Sequence, residues 1–201
     1  MIEVSLNQAA RRLGSHRGRS AWWRPFARRA AVAVVLREAP GGLETLMIQR
    51  AERRGDRWSG HMAFPGGLVD PIDRSPLAAA LREADEEVGL DLPQQGDYIT
   101  RLSDVVSLPQ NGHRGRLIVS PFVFALADPE PLLRPNYEVA ATLWVPLDYL
   151  ADHSNRQTMQ WPGHHGTVPY CLVEERRVWG MSLRMLDELI QALMRDEVSV
   201  T

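Results

Sequence analysis

The chain has 201 residues, a length that suits one domain or two very small ones. Hydrophobic residues make up 44% of it and charged residues 24%, which provides a full apolar core and excludes disorder of the whole chain. The longest purely apolar run, 30–36, is far shorter than the roughly 20 residues that a membrane helix needs. The first residues include acidic and arginine side chains but no apolar segment, so we predict no signal peptide.

The use of cysteine and lysine excludes several kinds of chemistry. Cys171 is the only cysteine, so the chain cannot form an internal disulfide, a zinc site of several thiolates or a redox-active cysteine pair. All 23 residues in the combined lysine and arginine count are arginines. This excludes a Schiff-base lysine and the lysine of a nucleotide-binding P-loop. A cytoplasmic protein is the expectation.

The charge is unevenly distributed along the chain. Residues 1–57 contain 12 arginines and 5 acidic residues, whereas residues 58–201 contain 11 arginines and 20 acidic residues. A basic arm can bind nucleic acid, but a basic stretch beside an acidic body suits a small polyanion equally well. Because no nucleic-acid-binding motif accompanies the arginines, we expect a small anionic ligand, with no nucleic acid and no membrane as partner.

The first part of the chain predicts a short helix and a hairpin. Residues 4–13 fit the helix, and 14–19 a loop. Residues 30–37 are rich in alanine and valine and predict a strand, and the sequence Ala-Pro-Gly-Gly at 39–42 predicts a turn. Residues 43–49 then predict the partner strand of the hairpin.

A helix with clear ends follows. Ser75 is a typical N-cap, Pro76 suits the first helical position, and Gly89 is typical of a helix end. The remaining pattern predicts three strands and a last helix, at 100–107, 117–125, 140–145 and from Met181 onward. This order predicts an α/β (α+β) fold, an α/β/α sandwich with a mixed sheet between helices. Long connectors, which usually carry function, are predicted at 108–116, 126–139 and 151–177.

The central helix has an unusual concentration of acidic side chains. At about 100° per residue, Glu83, Glu86 and Glu87 fall within one sector roughly 100° wide, beside a separate apolar stripe. Such close carboxylates repel each other, so protons, arginines or a divalent cation must offset the repulsion. Hard oxygen ligands at this density suit Mg²⁺ or Mn²⁺. The alternative is a solvated helix face that binds nothing.

The helix and the loop before it carry a recognisable motif. The sequence Arg-Glu-Ala-Asp-Glu-Glu-Val-Gly-Leu at 82–90 matches the second half of the signature of the Nudix hydrolases, which the chain resembles. The first half departs from that signature, because Asp73 stands where a glutamate is expected and one extra residue precedes Arg82. The longer spacing, with Phe-Pro-Gly-Gly at 64–67 and Asp70, is similar to the coenzyme A pyrophosphatase branch of that superfamily.

Shorter matches extend the resemblance over roughly 30–190. They are Arg-Ala at 50–51, Pro-Phe-Val at 121–123, Glu-Val at 138–139, Trp-Val-Pro-Leu at 144–147 and Val-Trp-Gly-Met-Ser at 178–182. The loop at 108–116 departs from the branch, because its expected aromatic and threonine residues are replaced. We therefore expect a single Nudix domain over 1–201, with a basic N-terminal extension at 1–29 and the Nudix box at 67–90.

The resemblance implies a role for each acidic residue of the motif. Glu83, Glu86 and Glu87 would be the metal carboxylates, with the carbonyl of Gly67 as a possible further ligand and Mg²⁺ or Mn²⁺ as the cofactor. Arg82 would hold a glutamate in place through a bidentate ion pair. Glu138 would be a fourth ligand or the general base, and its alternative is an ordinary loop acid. Asp70 and Asp73 would brace the loop before the helix.

The resemblance also implies the substrate and the residues that bind it. Gly66 and Gly67 would let the backbone approach a phosphate or a metal closely. Since lysine is absent, arginines would bind the phosphates, and two clusters are candidates: Arg50, Arg53, Arg54 and Arg57 before the glycine loop, and Arg114 with Arg116 in the divergent loop.

The implied reaction is hydrolysis of the diphosphate bond of coenzyme A or acyl-coenzyme A, giving 3′-phospho-ADP and (acyl-)phosphopantetheine. One alternative is another nucleoside diphosphate linked to a second moiety, such as a dinucleotide or a nucleotide sugar. Another is a Nudix-fold binding module without turnover, although a complete set of glutamates argues against it. A homodimer is a further expectation, and it does not come from the resemblance.

Overall fold

The computed structural model describes residues 4–21, 27–56, 58–107, 116–160 and 166–195. Within them, the strands form an eight-stranded mixed sheet and a three-stranded antiparallel sheet. The elements in chain order are α1 (Leu6–Gly14), β1 (Arg28–Ala39), β2 (Gly42–Arg50), β3 (Met62–Ala63), β4 (Gly66–Leu68), α2 (Pro76–Val88), α3 (Leu92–Gln95), β5 (Gly96–Arg101), β6 (Val105–Val106), β7 (Leu117–Leu126), β8 (Val139–Pro146), α4 (Leu147–Ala151), β9 (Arg156–Gln160), β10 (Thr167–Val173), β11 (Arg176–Trp179) and α5 (Gly180–Met194).

Strand β1 is the centre of the large sheet. It pairs with β7 in parallel and with its hairpin partner β2 in antiparallel orientation, and β8 adds to the far side of β2. The short strand β4 pairs antiparallel with β1, with Val32 opposite Gly66 and Ala31 opposite Gly67. This pairing fixes the two glycines against the middle of the sheet.

Helices cover both faces of the sheet. Alternate residues of β1 belong to two separate cores: Ala33 and Val35 to the core on the side of α2, and Val34 and Leu36 to the core that contains α1 and α5. A central strand buried on both faces reads as a continuous apolar run, which is the pattern that predicted it. The predicted α/β/α sandwich is confirmed.

The prediction of one strand over 100–107 is wrong. Strand β5 ends at Arg101 and β6 is only two residues long, because the chain between them turns to meet the N-terminal segment. The N–H of Asp104 donates to the carbonyl of Arg19 at 2.9 Å, and the N–H of Arg19 donates to Ser103 Oγ at 3.0 Å. Residues 103 and 104 therefore form hydrogen bonds with the N-terminal segment and not with a neighbouring strand.

The prediction of a long connector at 151–177 is also wrong. It contains β9, β10 and the start of β11, which form the three-stranded sheet. The turn between β10 and β11 is made by Glu174 and Glu175, both with positive φ, at 44° and 66°. Tight hairpin turns of this kind normally use asparagine or glycine, so the sequence carries no turn signal here.

The described part of the N-terminal segment belongs to the folded body. Ser5 caps α1 by accepting a hydrogen bond from the N–H of Gln8, and Ala9 and Leu13 are fully buried in the core with α5. The predicted helix at 4–13 is therefore confirmed within one or two residues. Among the described residues, none of the helices has the length and apolar character that crossing a membrane requires.

Candidate active site

The acidic helix α2 has well-defined ends. Ser75 Oγ accepts a hydrogen bond from the N–H of Ala78 at 3.1 Å, and Pro76 begins the helix. Gly89 ends it in the left-handed conformation, with φ of 72°, which a residue without a side chain adopts most easily. These two ends are the ones that the sequence predicted, and the packing of Ala80, Ala84 and Val88 on the core sets the orientation of the helix.

Glu87 is the most buried carboxylate of the helix. Its side chain accepts a hydrogen bond from the N–H of Gly66 at 2.8 Å, and the residue is only 2% exposed. The pKa of Glu87 is raised to about 7, first by burial and then by repulsion from Glu83, although the hydrogen bond from Gly66 lowers it. A nearby cation would offset the cost of holding this charge away from water.

Glu83 lies directly against the glycine loop. A Cβ atom at Gly67 would overlap the carboxylate of Glu83, so only glycine allows this close approach. Burial raises the pKa of Glu83, while its contact with Arg82 lowers it. The pairing of β4 with β1 and the packing of α2 thus bring two of the predicted metal carboxylates to the two predicted glycines.

Arg82 is bound by carboxylates on several sides. Its guanidinium donates to both oxygens of Asp73, at 3.1 and 3.0 Å, and also to Glu83 at 2.9 Å and Glu86 at 3.1 Å. Asp73 in turn accepts from the N–H of Asp70 at 2.8 Å. The hydrogen bonds from Arg82 are the largest cause that lowers the pKa of Asp73. Asp73 therefore braces the loop and holds Arg82, and the arginine contacts two of the glutamates.

Glu138 lies near this cluster although it is 51 residues from Glu87 in the chain. Its charge raises the pKa of both Glu83 and Glu87, and its own carboxylate is 3.1 Å from Arg53 Nη2. The side chain is 31% exposed, which leaves it accessible to solvent. The structure thus brings all four predicted glutamates into one region.

The donor atoms fit a divalent cation, although their present arrangement is held by other partners. Within the described residues, no three carboxylate, imidazole or thiolate groups converge on one point. Arg82 holds Glu83 and Glu86, the Gly66 N–H holds Glu87, and Arg53 holds Glu138. A set of hard oxygen donors with a buried, poorly compensated carboxylate is nevertheless what Mg²⁺ or Mn²⁺ binds in proteins.

A cavity of about 310 Å³ adjoins the glycine loop. Most of its walls are apolar, and the lining includes Val32, Met62, Phe64, Leu117, Val119, Trp179, Met181 and Met185. Gly66 and Gly67 line the cavity and also contact Glu87 and Glu83, so the cavity adjoins the acidic cluster. Its volume lies at the lower end of the range for small-molecule sites, which suits one arm of a larger ligand.

Of the arginines predicted to bind substrate, Arg50 lines the cavity. Its Nη2 is 2.8 Å from Asp56 Oδ2, but its Nε is buried and has no hydrogen-bond partner among the described residues. Its charge also lowers the pKa of Glu87, which places it close to the acidic cluster. A buried guanidinium nitrogen without a partner is costly, and because Arg50 lines the cavity, its cationic group is placed to attract an anionic ligand.

The other predicted arginines lie outside the cavity or outside the described residues. Arg116 is exposed and immediately precedes Leu117 of the cavity wall. Arg57 and Arg114 both lie outside the described residues, as does most of the divergent loop at 108–116.

Sequence reasoning did not identify the contribution of α5 to the cavity. Met181 and Met185 line it, and Ser182 Oγ donates to the carbonyl of Met62 at 3.0 Å, which fixes the start of the helix against β3. His61 also lines it and contacts the Trp179 ring edge-on at 5.1 Å. Burial lowers the pKa of this histidine. The Val-Trp-Gly-Met-Ser motif at 178–182 is the sequence signal for this region, but it predicts only the start of a helix.

The comparison with known families agrees with this geometry. The model of the NUDIX domain matches residues 27–165. The chain belongs to the Nudix hydrolases. It is therefore a pyrophosphohydrolase, and members of this family generally require divalent metal ions.

Two curated relatives refine the comparison. Over 169 residues, the chain is 32% identical to the human mitochondrial coenzyme A diphosphatase NUDT8, an alignment that covers 82% of this chain and 69% of the relative. An uncharacterized protein of Schizosaccharomyces pombe, C14C4.10c, is 41% identical over 103 residues, but this covers 51% of the chain and only 31% of that longer protein. The resemblance to the coenzyme A pyrophosphatase branch is confirmed at the level of sequence similarity.

A solved structure supports the fold. The binary complex of the Ap4A hydrolase of C. elegans superposes with a TM-score of 0.51 at 22% identity, covering 61% of this chain and 82% of the other. At this identity the likeness shows the fold of the Nudix hydrolases. The substrate of this chain has to be inferred from its own residues.

Proposed function

We propose that this Nudix hydrolase cleaves the diphosphate bond of coenzyme A or of acyl-coenzyme A, with Mg²⁺ or Mn²⁺ as its cofactor. The observation that carries the proposal is that the apolar cavity adjoins the acidic cluster through Gly66 and Gly67, with the cationic side chain of Arg50 in the cavity lining. A diphosphate linked to a long, largely uncharged arm needs both environments side by side. The similarity to NUDT8 supports the same substrate class.

The reaction breaks one phosphoric anhydride bond. The oxygen of water forms a new bond to one phosphorus, the bridging oxygen leaves with the other phosphate, and a proton is lost from the attacking water. Each product therefore keeps one phosphate of the former diphosphate. The nucleotide product of coenzyme A is adenosine 3′,5′-bisphosphate, so the expectation of 3′-phospho-ADP is wrong, and the second product is (acyl-)phosphopantetheine.

The glutamates of α2 would hold the metal. Glu83, Glu86 and Glu87, with the carbonyl of Gly67, supply hard oxygen donors, and a bound metal ion would acidify water and neutralise the diphosphate charge. Glu83 and Glu86 would exchange Arg82 for the metal. The two contacts of Arg82 with Asp73 would hold it beside the cluster as a source of positive charge.

Glu138 would accept the proton of the attacking water or bind the metal. Its carboxylate is accessible, lies close enough to Glu83 and Glu87 to repel them, and has one cationic partner, Arg53. A general base needs access to water and a fixed position, and the loop at 134–138 provides both.

Two other functions are weaker candidates. Another linked diphosphate, such as a dinucleotide or a nucleotide sugar, would use the same glutamates. Its second nucleoside or its sugar is polar, however, and would have to enter an apolar cavity. A binding module without turnover would not need four carboxylates held near one another at the cost of raising the pKa of Glu87. A homodimer and a cytoplasmic location remain predictions from the sequence.

A substrate panel tests the proposal. The full chain should be incubated with coenzyme A, an acyl-coenzyme A, a dinucleotide and a nucleotide sugar, with Mg²⁺ and with Mn²⁺, and the products identified by mass. We expect adenosine 3′,5′-bisphosphate and phosphopantetheine to form fastest, and chelation of the metal to stop the reaction. Faster cleavage of the dinucleotide or the nucleotide sugar would overturn the choice of substrate.

A further inference from the structure

An exposed aromatic side chain lies beside the candidate base. Tyr137, the residue before Glu138, is 81% exposed, the highest value among the large hydrophobic and aromatic residues of the described structure. It is not among the residues that line the apolar cavity. Tyrosines of folded proteins usually bury most of the ring, so an open ring beside an active site suggests a contact that the free protein does not make.

The loop that carries Tyr137 is firmly attached to the end of the acidic helix. The N–H groups of Arg134 and Asn136 donate to the carbonyls of Val88 and Glu87 at 2.8 and 3.0 Å, and Asn136 Nδ2 donates to the carbonyl of Glu86 at 2.8 Å. These bonds satisfy carbonyls that the helix end would otherwise leave unpaired. The ring of Tyr137 therefore has a backbone position defined relative to the metal carboxylates.

A second contact orients the ring itself. The guanidinium of Arg53 lies 4.9 Å from the centre of the Tyr137 ring, and Nη2 of the same arginine is 3.1 Å from Glu138 Oε1. Cation–π attraction and the ion pair together hold the ring at the edge of the acidic cluster. The arginine contacts only part of the ring, and the large exposed fraction leaves most of its surface open to solvent.

We propose that Tyr137 is the stacking platform for the nucleobase of the substrate. A purine presents a flat π-face, and an exposed ring of fixed position binds it at a low cost in side-chain entropy. With the base on Tyr137, the diphosphate lies at the glutamates and the other arm enters the apolar cavity. This inference rests on the proposed function, because it takes the base from a nucleoside diphosphate substrate.

Binding of the two separate products tests the platform directly. The full chain with Mg²⁺ should be titrated with adenosine 3′,5′-bisphosphate and with phosphopantetheine in a calorimeter. We expect Tyr137→Leu to weaken binding of the adenine product about tenfold, the loss that an unstacked base typically produces. Tyr137→Phe keeps the ring and should bind close to wild type, and phosphopantetheine, which has no base, should bind all three proteins equally.

A second tyrosine next to an arginine provides the matched control. Arg177 lies 5.5 Å from the ring of Tyr170, on the separate three-stranded sheet, so Tyr170→Leu removes a similar pair without changing the platform. The proposal is overturned if wild type does not bind the adenine product, if Tyr137→Leu binds it as wild type does, or if Tyr137→Phe is as weak as Tyr137→Leu. It is also overturned if Tyr170→Leu has the same effect, or if Tyr137→Leu weakens phosphopantetheine binding equally.

The same proteins separate this inference from the proposed function. Turnover of coenzyme A by wild type decides the function, and the ratio of product affinities decides the platform. If wild type cleaves a dinucleotide and not coenzyme A, the proposed function fails, while a selective loss of adenine binding in Tyr137→Leu still supports the platform.

Discussion

The carboxylate of Glu87 accepts a hydrogen bond from the backbone N–H of Gly66 at 2.8 Å. This bond connects the acidic helix to the glycine strand β4, which is itself paired with the central strand of the sheet. It is also the only hydrogen bond that the structure gives this carboxylate within the described residues, and burial leaves its pKa raised to about 7. The helix therefore holds a charge that is positioned firmly but compensated incompletely.

Replacing this carboxylate should separate stability from activity. We expect Glu87→Gln to reduce turnover at least about a hundredfold, because a metal ligand is lost. Without metal, its melting temperature should equal or exceed that of wild type, since a buried charge is removed while the amide oxygen can still accept from Gly66. Glu86→Gln should lose turnover similarly.

Melting curves in a chelator and steady-state rates with Mg²⁺ check both expectations. Asp85→Asn is the matched control, because Asp85 is exposed on the same helix and should change neither quantity. Wild-type turnover in Glu87→Gln would remove Glu87 from the metal site.

A methyl group on the glycine loop should reduce activity with little effect on stability. A Cβ at Gly67 would overlap the carboxylate of Glu83, which is the end of a flexible side chain and can move aside, so we expect Gly67→Ala to reduce turnover by displacing Glu83 and to change the free energy of unfolding by less than about 1 kcal/mol. Urea unfolding and a rate measurement test this. In the control variant Gly41→Ala, the new Cβ meets no atom within 4 Å, so both quantities should stay at wild-type values. An unaffected Gly67→Ala would mean that the loop and Glu83 need not be in contact.

Local signals made the acidic helix and the central hairpin predictable. Single residues, Ser75 and Gly89, predict the two ends of the helix. A continuous apolar run predicts the strand at 30–37. The same reasoning placed Glu87 in one sector with the other glutamates, but it did not reveal that this side chain is buried. Burial depends on the glycine strand, which pairs with a different part of the chain.

The proximity of Glu138 to the helix could be expected only from the family resemblance. It depends on hydrogen bonds from Arg134 and Asn136 to the end of α2, and such long-range contacts leave no periodic pattern in the sequence. The hairpin at 174–175 was missed for a different reason, because two glutamates occupy positions where turn residues are expected. The sequence therefore predicts helices and strands whose ends carry local signals better than it predicts contacts between distant loops.

Glu138 should act mainly on the rate of the chemical step. We expect Glu138→Gln to reduce kcat by about a hundredfold or more with little change in KM, because the lost group moves a proton or holds the metal and does not bind the substrate arms. Steady-state kinetics over a pH series distinguishes the two roles: loss of a base removes the acidic limb of the rate profile, whereas loss of a ligand raises the Mg²⁺ requirement. A rate equal to wild type would leave Glu138 as an ordinary loop acid.

The contact between α5 and the N-terminal segment should make stability depend on pH. Glu188 accepts hydrogen bonds from the N–H and Oγ of Ser103 at 2.9 and 2.7 Å, and it is 2.8 Å from His16 Nε2. Burial works to raise the pKa of Glu188, but these partners outweigh it and hold the pKa below its ordinary value. A carboxyl with a lowered folded-state pKa contributes stability above its unfolded pKa and loses that contribution as the pH falls through the folded one.

We therefore expect Glu188→Gln to lower the free energy of unfolding by about 1 kcal/mol at pH 7, allowing for solvent screening. The difference from wild type should shrink as the pH falls below the ordinary pKa of glutamate and vanish once the pH is below the lowered folded-state pKa of Glu188. Urea unfolding at several pH values measures it, and Glu130→Gln, on an exposed loop, is the control. A difference that stays constant from pH 7 to pH 3 would show that the charge of Glu188 contributes nothing.

The preference for coenzyme A over its dephospho form should show which arginine binds which phosphate. Coenzyme A carries a 3′-phosphate that its dephospho form lacks, and wild type should prefer the former. Arg50, which lines the cavity and lies close to Glu87, should bind the diphosphate itself, so Arg50→Gln should slow both substrates equally. If the base lies on Tyr137, the exposed Arg54, next in the chain to the Arg53 that contacts Tyr137, is the candidate for the 3′-phosphate, and Arg54→Gln should reduce the preference about 5- to 10-fold while sparing the dephospho form. The measurement is the ratio of kcat/KM for the two compounds in each variant. A preference lost in Arg116→Gln instead would place the 3′-phosphate at the entrance of the cavity and would contradict the position of the base.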